Sequence, residues 1–543
     1  MGIPYYFYLL TKTHPDILAR VPPPGIARFY LDFNGAVYNA FYGDPSLAAP
    51  GAPDVHARLC RATWAYFQHL RATLLPAGDA AQVRICMDGV APVAKMMQQR
   101  KRRFMTMARE QLLAAAPAAP WDTNAISPGT AFMAELTAFM AAHCAGAAAF
   151  SGPDEPGEGE HKIFAHLAAH PVPPGGGATV VYGLDADLIM LALLSNQPRL
   201  FLMREEQPRD KKKQQPGPLP FVYLDVDALR RGLLQQLAAA WPGAQDDDQA
   251  VAGGAQACIE RYIVLCFLLG NDFLPPLPAL HMREGHGQSR SGMDTVLAAY
   301  QATRRATGEH ILEANKNNTI NYRFVLALLE RLASDEDARV FEDVKAYLHR
   351  RSHAATPDDK VEFHPLEHKD PVAHAVYSAR GPEWRAVYYA GLFHGVDPDA
   401  ACRDYLTGLA WTWQYYRQRP KDGRWAYQPG FAPSARDLAA CLRRQLPAFE
   451  RLAADWAVAG ADADAFVAAP VQLLSILPAK SVELLPPALR PLMREPRLGL
   501  AHLYPRAFAL HTYVKTRLWE CHPVLPPLDI AWVEECLAAH VTG

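Results

Sequence analysis

Three short apolar runs in the first two hundred residues end in the same way. "ARFYLDFNG" (27–35), "VRICMDG" (83–89) and "TVVYGLDAD" (179–187) are rich in β-branched or aromatic residues, and each runs into an aspartate. Between them lie long Ala/Leu/Met-rich stretches with helical spacing, at 55–75, 93–115 and 129–148. Strands this apolar need cover on both faces, and intervening helices supply it. The pattern therefore predicts an α/β fold, a mostly parallel sheet flanked by helices. Such open sheets bind ligands beyond the carboxyl ends of their strands. Asp32, Asp88, Asp185 and Asp187 fall at those ends.

From about residue 300 the pattern becomes mainly helical, with Pro-rich breaks near 420–433, 467–497 and 522–528. This divides the 543 residues into an α/β half, 1–300, and a mainly helical second region, 301–543. Lys plus Arg is 54 and Asp plus Glu is 56, a net charge of −2. A generally basic protein is thereby excluded, and any nucleic-acid site must be a local patch. The nine cysteines are scattered singly, with no C-x-x-C pair. They suit reduced thiols in the cytoplasm, or alternatively the nucleus, and argue against structural zinc. No apolar run approaches the roughly 20 residues of a membrane span. "MGIPYYFYLL" lacks a basic n-region, and Gly2 is followed at position 6 by Tyr, so neither a signal peptide nor myristoylation is expected. Charged stretches at 205–220, including Lys211 to Lys213, and at 241–257 read as surface loops.

A further acidic cluster lies in "SGPDEPGEGEHK" (151–162), where Asp154, Glu155, Glu158 and Glu160 crowd together and only His161 and Lys162 follow as counter-charges. Asp272, in "CFLLGNDFLPPLP", again follows an apolar run. Asp185 and Asp187, like Glu158 and Glu160, are two residues apart, a spacing that on an extended backbone points both to one side. A strand-end aspartate commonly caps the next helix, but seven acids around one sheet edge exceed what capping explains. Unpaired carboxylates repel unless cations hold them together. Mg²⁺ or Mn²⁺ would take these oxygens, and two such ions about 4 Å apart support phosphodiester cleavage. Gly157 and Gly159 would let both glutamates turn inward, with His161 as an orienting neighbour. In "KMMQQRKRRF" (95–104), Lys95, Gln99, Arg102 and Arg103 share a helical arc of roughly 100°, while Arg100 and Lys101 face elsewhere. A solvated basic face is one reading. A phosphate anchor beside the metals is the other.

In order along the chain, "MGIP", "YLDFNG", "DGVAPVAKMMQQRKRRF", "NAISPGTAFM", "SGPDEPGEGEHK", "YGLDADLIML", "FLMREE" and "CFLLGNDFLPPLP" closely resemble the signature segments of the 5′→3′ exoribonucleases, the XRN family. "YLTGLAWTWQYY", "RWAYQPGFAPSARDL", "LLSILPAKSVELLP" and "VLPPLD" look like that family's second conserved region. The resemblance implies a core like those of the PIN and flap nucleases. It also implies a monomeric, processive enzyme using Mg²⁺ or Mn²⁺, which degrades single-stranded RNA from a 5′-monophosphate end to mononucleotides. It assigns the metal-binding and catalytic acids to Asp32, Asp88, Glu158, Glu160, Asp185, Asp187 and Asp272. It assigns the 5′-phosphate pocket to Lys95, Gln99, Arg102 and Arg103, and places Asn34 at the active-site edge. Trp425 corresponds to a family tryptophan that stacks on a base. Tyr38 stands where the family usually has a stacking histidine, so stacking should survive with altered strength. The sequence ends soon after the second region, so the long C-terminal extension of the large cytoplasmic members is expected to be absent. Two other readings stay open. A related flap endonuclease acting on branched DNA would share the acids, although no helix-hairpin-helix segment follows Asp272. A non-catalytic RNA-binding protein on the same fold would be expected to have lost carboxylates.

Overall fold

The computed structural model describes residues 5–47, 54–75, 81–113, 121–173, 175–206, 219–240, 254–282, 291–379, 381–419, 422–458 and 466–542. The "MGIP" segment, Lys211 to Lys213 and the acidic stretch 241–253 lie outside those residues.

Seven strands form one sheet: β1 (Leu18–Ala19), β2 (Ile26–Asp32), β3 (Gln82–Cys86), β4 (Ala149–Ser151), β5 (Ala178–Tyr182), β6 (Leu200–Glu205) and β7 (Phe221–Asp225). Their order is β1-β7-β6-β5-β2-β3-β4. The pairings β2/β3, β2/β5, β3/β4 and β5/β6 are parallel, while β7 runs antiparallel to both β6 and β1. The sheet is thus mostly parallel, as the alternation predicts, with an antiparallel edge. From β2 the chain builds outward through β3 to β4, then returns to β5 on the other side of β2 and builds away through β6. The strand order therefore reverses between β2 and β5, which opens a crevice at their carboxyl ends. Asp32 is the last residue of β2, and Asp185 lies three residues beyond β5.

The central strands alternate between two cores, as side chains on successive strand residues must. Phe29, Leu31, Val180 and Tyr182 face one side. There they join helices α2 (Asn34–Gly43), α3 (Val55–Leu74) and α5 (Ala131–Cys144) in one buried cluster. Each fully buried side chain of this size contributes about 1.5–3 kcal/mol. Tyr30, Val181 and Leu202 face the other side, in one cluster with α1 (Tyr6–Thr13), α6 (Gly159–Ala169) and α7 (Asp187–Ser195). This second cluster does not stop at the sheet. It continues through Ile263 of helix Gly254–Phe267 to Leu328, Leu409 and Leu442 of the helical region. The two regions share one core.

Helix α4 (Val93–Leu112) starts after Pro92, whose extended backbone sets the entry, and contains no glycine or proline. Val93 and Met96 pack into a third cluster with Val471, Leu474, Ile476, Leu492 and Val533. Arg100 faces away from Lys95, Gln99, Arg102 and Arg103, as the helical arc requires. Its buried guanidinium donates to the Leu503 and Pro526 carbonyls, both at 2.8 Å. Arg100→Ala would leave both carbonyls without this donor. We expect a loss of about 2–4 kcal/mol in urea unfolding, since charge-assisted bonds and orphaned buried acceptors each weigh at this level. An unchanged midpoint would show that the guanidinium does not tie α4 to the C-terminal segment.

Candidate active site

The acids arrive from five segments. After Asp32 the chain turns at Phe33, whose amide donates to the Cys86 carbonyl at 2.9 Å and links the ends of β2 and β3. Asn34 opens α2 and exchanges hydrogen bonds with Asp88. Its Nδ2 donates to Asp88 Oδ2 at 2.9 Å, and its Oδ1 accepts from the Asp88 amide at 3.2 Å. Asn34 thus fixes Asp88 at the rim of the acidic group.

The stretch 151–162 folds inward. The Gly157 amide donates to the Val90 carbonyl at 2.8 Å, and the Gly89 amide donates back to Gly157 at 2.9 Å. Gly157 has φ +98°, which favours glycine. Gly159 donates its amide to Asp88 Oδ1 at 2.7 Å, and a Cβ there would meet Asp32 Oδ1 at 2.7 Å and the Cys86 carbonyl at 2.8 Å. Glycine is required for that approach. Glu158 and Glu160 are each only 5% exposed, whereas Asp154 and Glu155 are exposed. Lys162 does not neutralise the acids, because its Nζ donates to the Met87 and Gly152 carbonyls at 2.9 and 2.7 Å.

The local backbone differs from the extended one inferred from the spacing. Glu158 is the N-cap residue of α6 and Glu160 lies in its first turn, while Asp187 opens α7 one residue after a helical Ala186. These pairs meet because two helix N-termini converge on the sheet edge, not because a strand alternates its faces. Helix N-termini also favour negative charge.

Among the described residues, one lysine stands among the seven acids. Lys95 Nζ lies 2.6 Å from Glu158 Oε1 and 3.0 Å from Asp272 Oδ2, with all three side chains buried. Lys95 thus sits with the carboxylates, apart from the arginines grouped with it on the helical arc. Burial disfavours its charge, yet Glu158 and Asp272 hold it well above the usual lysine value. For Asp272, burial pushes upward, but Lys95 and Arg102 help to hold it below the ordinary range. Asp32, Asp88, Glu160 and Asp187 are pushed up by burial and by neighbouring carboxylates. Asp32 is raised well above its usual value by burial, Asp88, Asp185 and Glu158. Glu160 is likewise raised by burial, against the pull of Lys95. Asp88 is pushed up to about 6, first by burial and then by Glu158. Asp187 is pushed up to about 7 by burial and Asp272.

The donor set fits a hard divalent cation. Glu160 Oε2 is buried with no hydrogen-bond partner, an oxygen that nothing else described in the chain satisfies. One ligand atom from each of Glu158, Glu160 and His161 lies within 4.8 Å of the others. Burial pushes His161 down to about 4, so its ring is neutral and one nitrogen is free to accept.

Beyond Lys95, the same face of α4 borders the acids. Arg102 lies close enough to act electrostatically on Asp185 and Asp272. Arg103 donates to Ser127 Oγ at 2.6 Å, while its Nη1 and Gln99 Oε1 are buried without partners among the described residues. Tyr38 is half-buried beside Arg103 and Arg102. Trp425 is partly buried with its ring 4.9 Å from that of Trp411, and the neighbouring Gly423 carbonyl accepts from the Val93 amide at 2.8 Å. The Trp425 loop therefore abuts the start of α4.

Two side chains of the site come from the second region and were not foreseen. Tyr416 donates to Asp187 Oδ1 at 2.8 Å, and Tyr415 donates to Glu158 Oε2. Adjacent tyrosines ending an apolar helix look like core residues in a sequence, and nothing local reveals which acids they meet.

The raised carboxylates set a pH dependence. Asp187 ionises near 4 when unfolded and at about 7 when folded, so its contribution to stability is lost as pH rises through that interval. With divalent ions chelated, Asp187→Asn should gain on the parent protein from pH 4 to 8, by about 2–4 kcal/mol. Thermal unfolding of both proteins across that range would check this. A constant difference would mean that Asp187 ionises normally.

The family pattern described as "XRN 5'-3' exonuclease N-terminus" matches residues 1–206, and the pattern described as "Xrn1 helical domain" matches 254–377 and 381–538. Among curated proteins, the chain is 25% identical to 5′-3′ exoribonuclease 1 of Schizosaccharomyces pombe, over 99% of this chain and 48% of that protein. It is 26% identical to 5′-3′ exoribonuclease 1 of Saccharomyces cerevisiae, over 97% and 42%. For 5′-3′ exoribonuclease 1 of Homo sapiens the identity is 25%, over 97% and 33%. The chain thus spans less than half the length of these relatives. With both matched regions contributing side chains to one acidic crevice, the chain belongs to the XRN family.

Proposed function

We propose that the protein is a divalent-metal-dependent, processive 5′→3′ exoribonuclease that removes mononucleotides from single-stranded RNA bearing a 5′-monophosphate. The observation that carries this reading is that the basic face of α4 borders the seven clustered acids. Asp32, Asp88, Glu158, Glu160, Asp185, Asp187 and Asp272 would hold Mg²⁺ or Mn²⁺. Ions there would lower the pKa of a water and offset the charge that develops on the scissile phosphate.

The chain's own groups do the rest. Arg102 and Arg103, with Gln99, bind the terminal phosphate through forked donors, which fixes how far the first phosphodiester reaches toward the acids. One nucleotide per cut follows from that distance. A capped end carries bulk that a phosphate-sized pocket rejects. Lys95, between Glu158 and Asp272, supplies a positive charge shared by acids and phosphate. Tyr38 and Trp425 offer aromatic faces to bases, a contact that tolerates any sequence. In this reading residues 1–300 carry the nuclease core, and 301–543 complete the substrate channel. The protein works as a monomer in the cytoplasm or the nucleus. Family membership, and the names borne by the relatives, support the activity.

Purified protein with Mg²⁺ should degrade 5′-monophosphate RNA, while 5′-hydroxyl and capped RNA resist. Equal rates on monophosphate and hydroxyl ends would overturn the anchoring role of α4, and cleavage of branched DNA alone would favour a flap endonuclease. Arg102→Ala should raise KM for monophosphate RNA about 10- to 100-fold, the scale of one lost forked charge pair, and barely change the slow hydroxyl reaction. Asp185→Asn should abolish cleavage with the circular dichroism spectrum retained. Activity within tenfold of the parent would remove Asp185 from the catalytic group.

A further inference from the structure

We propose that Tyr415 and Tyr416 are positioning residues of the acidic site, whose phenols hold Glu158 and Asp187 in the orientation that binds a divalent cation. This rests on the reading that the acids bind metal, and it adds a role for the helical region in that binding.

The two tyrosines end the helix Pro398–Tyr416. Successive helical residues diverge by about 100°, so neighbouring side chains reach two different carboxylates. Tyr416 O–H donates to Asp187 Oδ1 at 2.8 Å, at the head of α7. Tyr415 O–H donates to Glu158 Oε2, while Glu158 Oε1 takes the Lys95 ammonium. Among the described residues, Tyr416 is the side-chain donor that Asp187 has. Each phenol engages one oxygen of its carboxylate, and a carboxylate has about four lone-pair sites. Capacity for a cation remains, with the rotation of the group removed.

Neither phenol is free to turn. The Tyr415 ring stacks on Trp411 with centroids 5.0 Å apart and an interplanar angle of 11°. It also meets Phe273 edge-on at 5.2 Å and lies 4.0 Å from the His161 ring. The Tyr416 ring packs 5.4 Å from Phe267. Both residues are 4% exposed. These contacts give rigid support to two of the seven acids. Partners that orient metal ligands typically change affinity or activity 10- to 100-fold when removed.

Tyr415→Phe and Tyr416→Phe keep every ring contact and delete only the donors. Tyr322→Phe is the control, because its buried phenol donates to the Leu406 carbonyl at 2.7 Å and touches no acid. Mn²⁺ binding would be titrated calorimetrically on the full chain without RNA, and cleavage would be followed at rising Mn²⁺. We expect Kd for Mn²⁺ to rise about tenfold or more in each of the two variants and to stay unchanged in the control. Cleavage in both variants should recover at high Mn²⁺, with KM for RNA unaltered. Parental Mn²⁺ affinity in both variants would overturn the proposal, as would an equal loss in the control, which would mark a general effect of buried phenols on the fold. If Tyr415→Phe melts far below the parent, Tyr416→Phe decides the outcome. Absence of Mn²⁺ binding by the parent protein itself would instead strike the metal reading on which this rests.

Discussion

Seven carboxylates share one crevice with, among the described residues, a single lysine between them, and much of the surrounding architecture answers that electrostatic burden. In a medium of low dielectric, like charges at these separations would protonate or push the segments apart. The chain counters locally. Lys95 bridges Glu158 and Asp272, Asn34 grips Asp88 from two sides, the bare amide of Gly159 faces Asp88, and two helix N-termini point at the group. Even so, Asp88 and Asp187 remain raised to about 6 and about 7. An arrangement held at that cost, with Glu160 Oε2 unsatisfied, is one that gains from a bound cation.

Topology makes the arrangement reachable. Because β2 lies between β3 and β5, both parallel to it, the carboxyl ends of three neighbouring strands open into the same crevice. The shared core then fixes where the helical region lies against it. Ile263, Leu328 and Leu409 belong to one apolar cluster with Val181 of β5. The helix that ends in Tyr415 and Tyr416 is thereby held against α6 and α7 with little room to slide, since packed interiors transmit displacement.

Much of this was legible in the sequence because burial leaves periodic marks. The runs containing Phe29 to Asp32 and Val180 to Val181 announced a sheet covered on both faces, and the arc of Lys95, Gln99, Arg102 and Arg103 announced one helix face. What failed was local geometry. The spacing of two between Glu158 and Glu160, and between Asp185 and Asp187, suggested strands. A helix start, however, turns on backbone angles that a pair of acidic letters does not encode. The placement of Lys95 was also hidden, since it depends on where Asp272 returns 177 residues later. Short edge strands such as β1 and β4 carry too few residues for any period to emerge. Tyr415 and Tyr416 were unreadable for a similar reason, as their partners lie 257 and 229 residues back.

That separation has a consequence in time. A chain emerging from its N-terminus has every strand of the sheet, and all the acids up to Asp187, long before it has the donor for Asp187. At about 5–20 residues per second, an interval of 229 residues lasts on the order of 10–50 s. During synthesis the acidic crevice therefore lacks its tyrosine donors until the second region has been made. It acquires its final geometry only when the helix Pro398–Tyr416 docks, so completion of the site reports that translation has passed the middle of the second region.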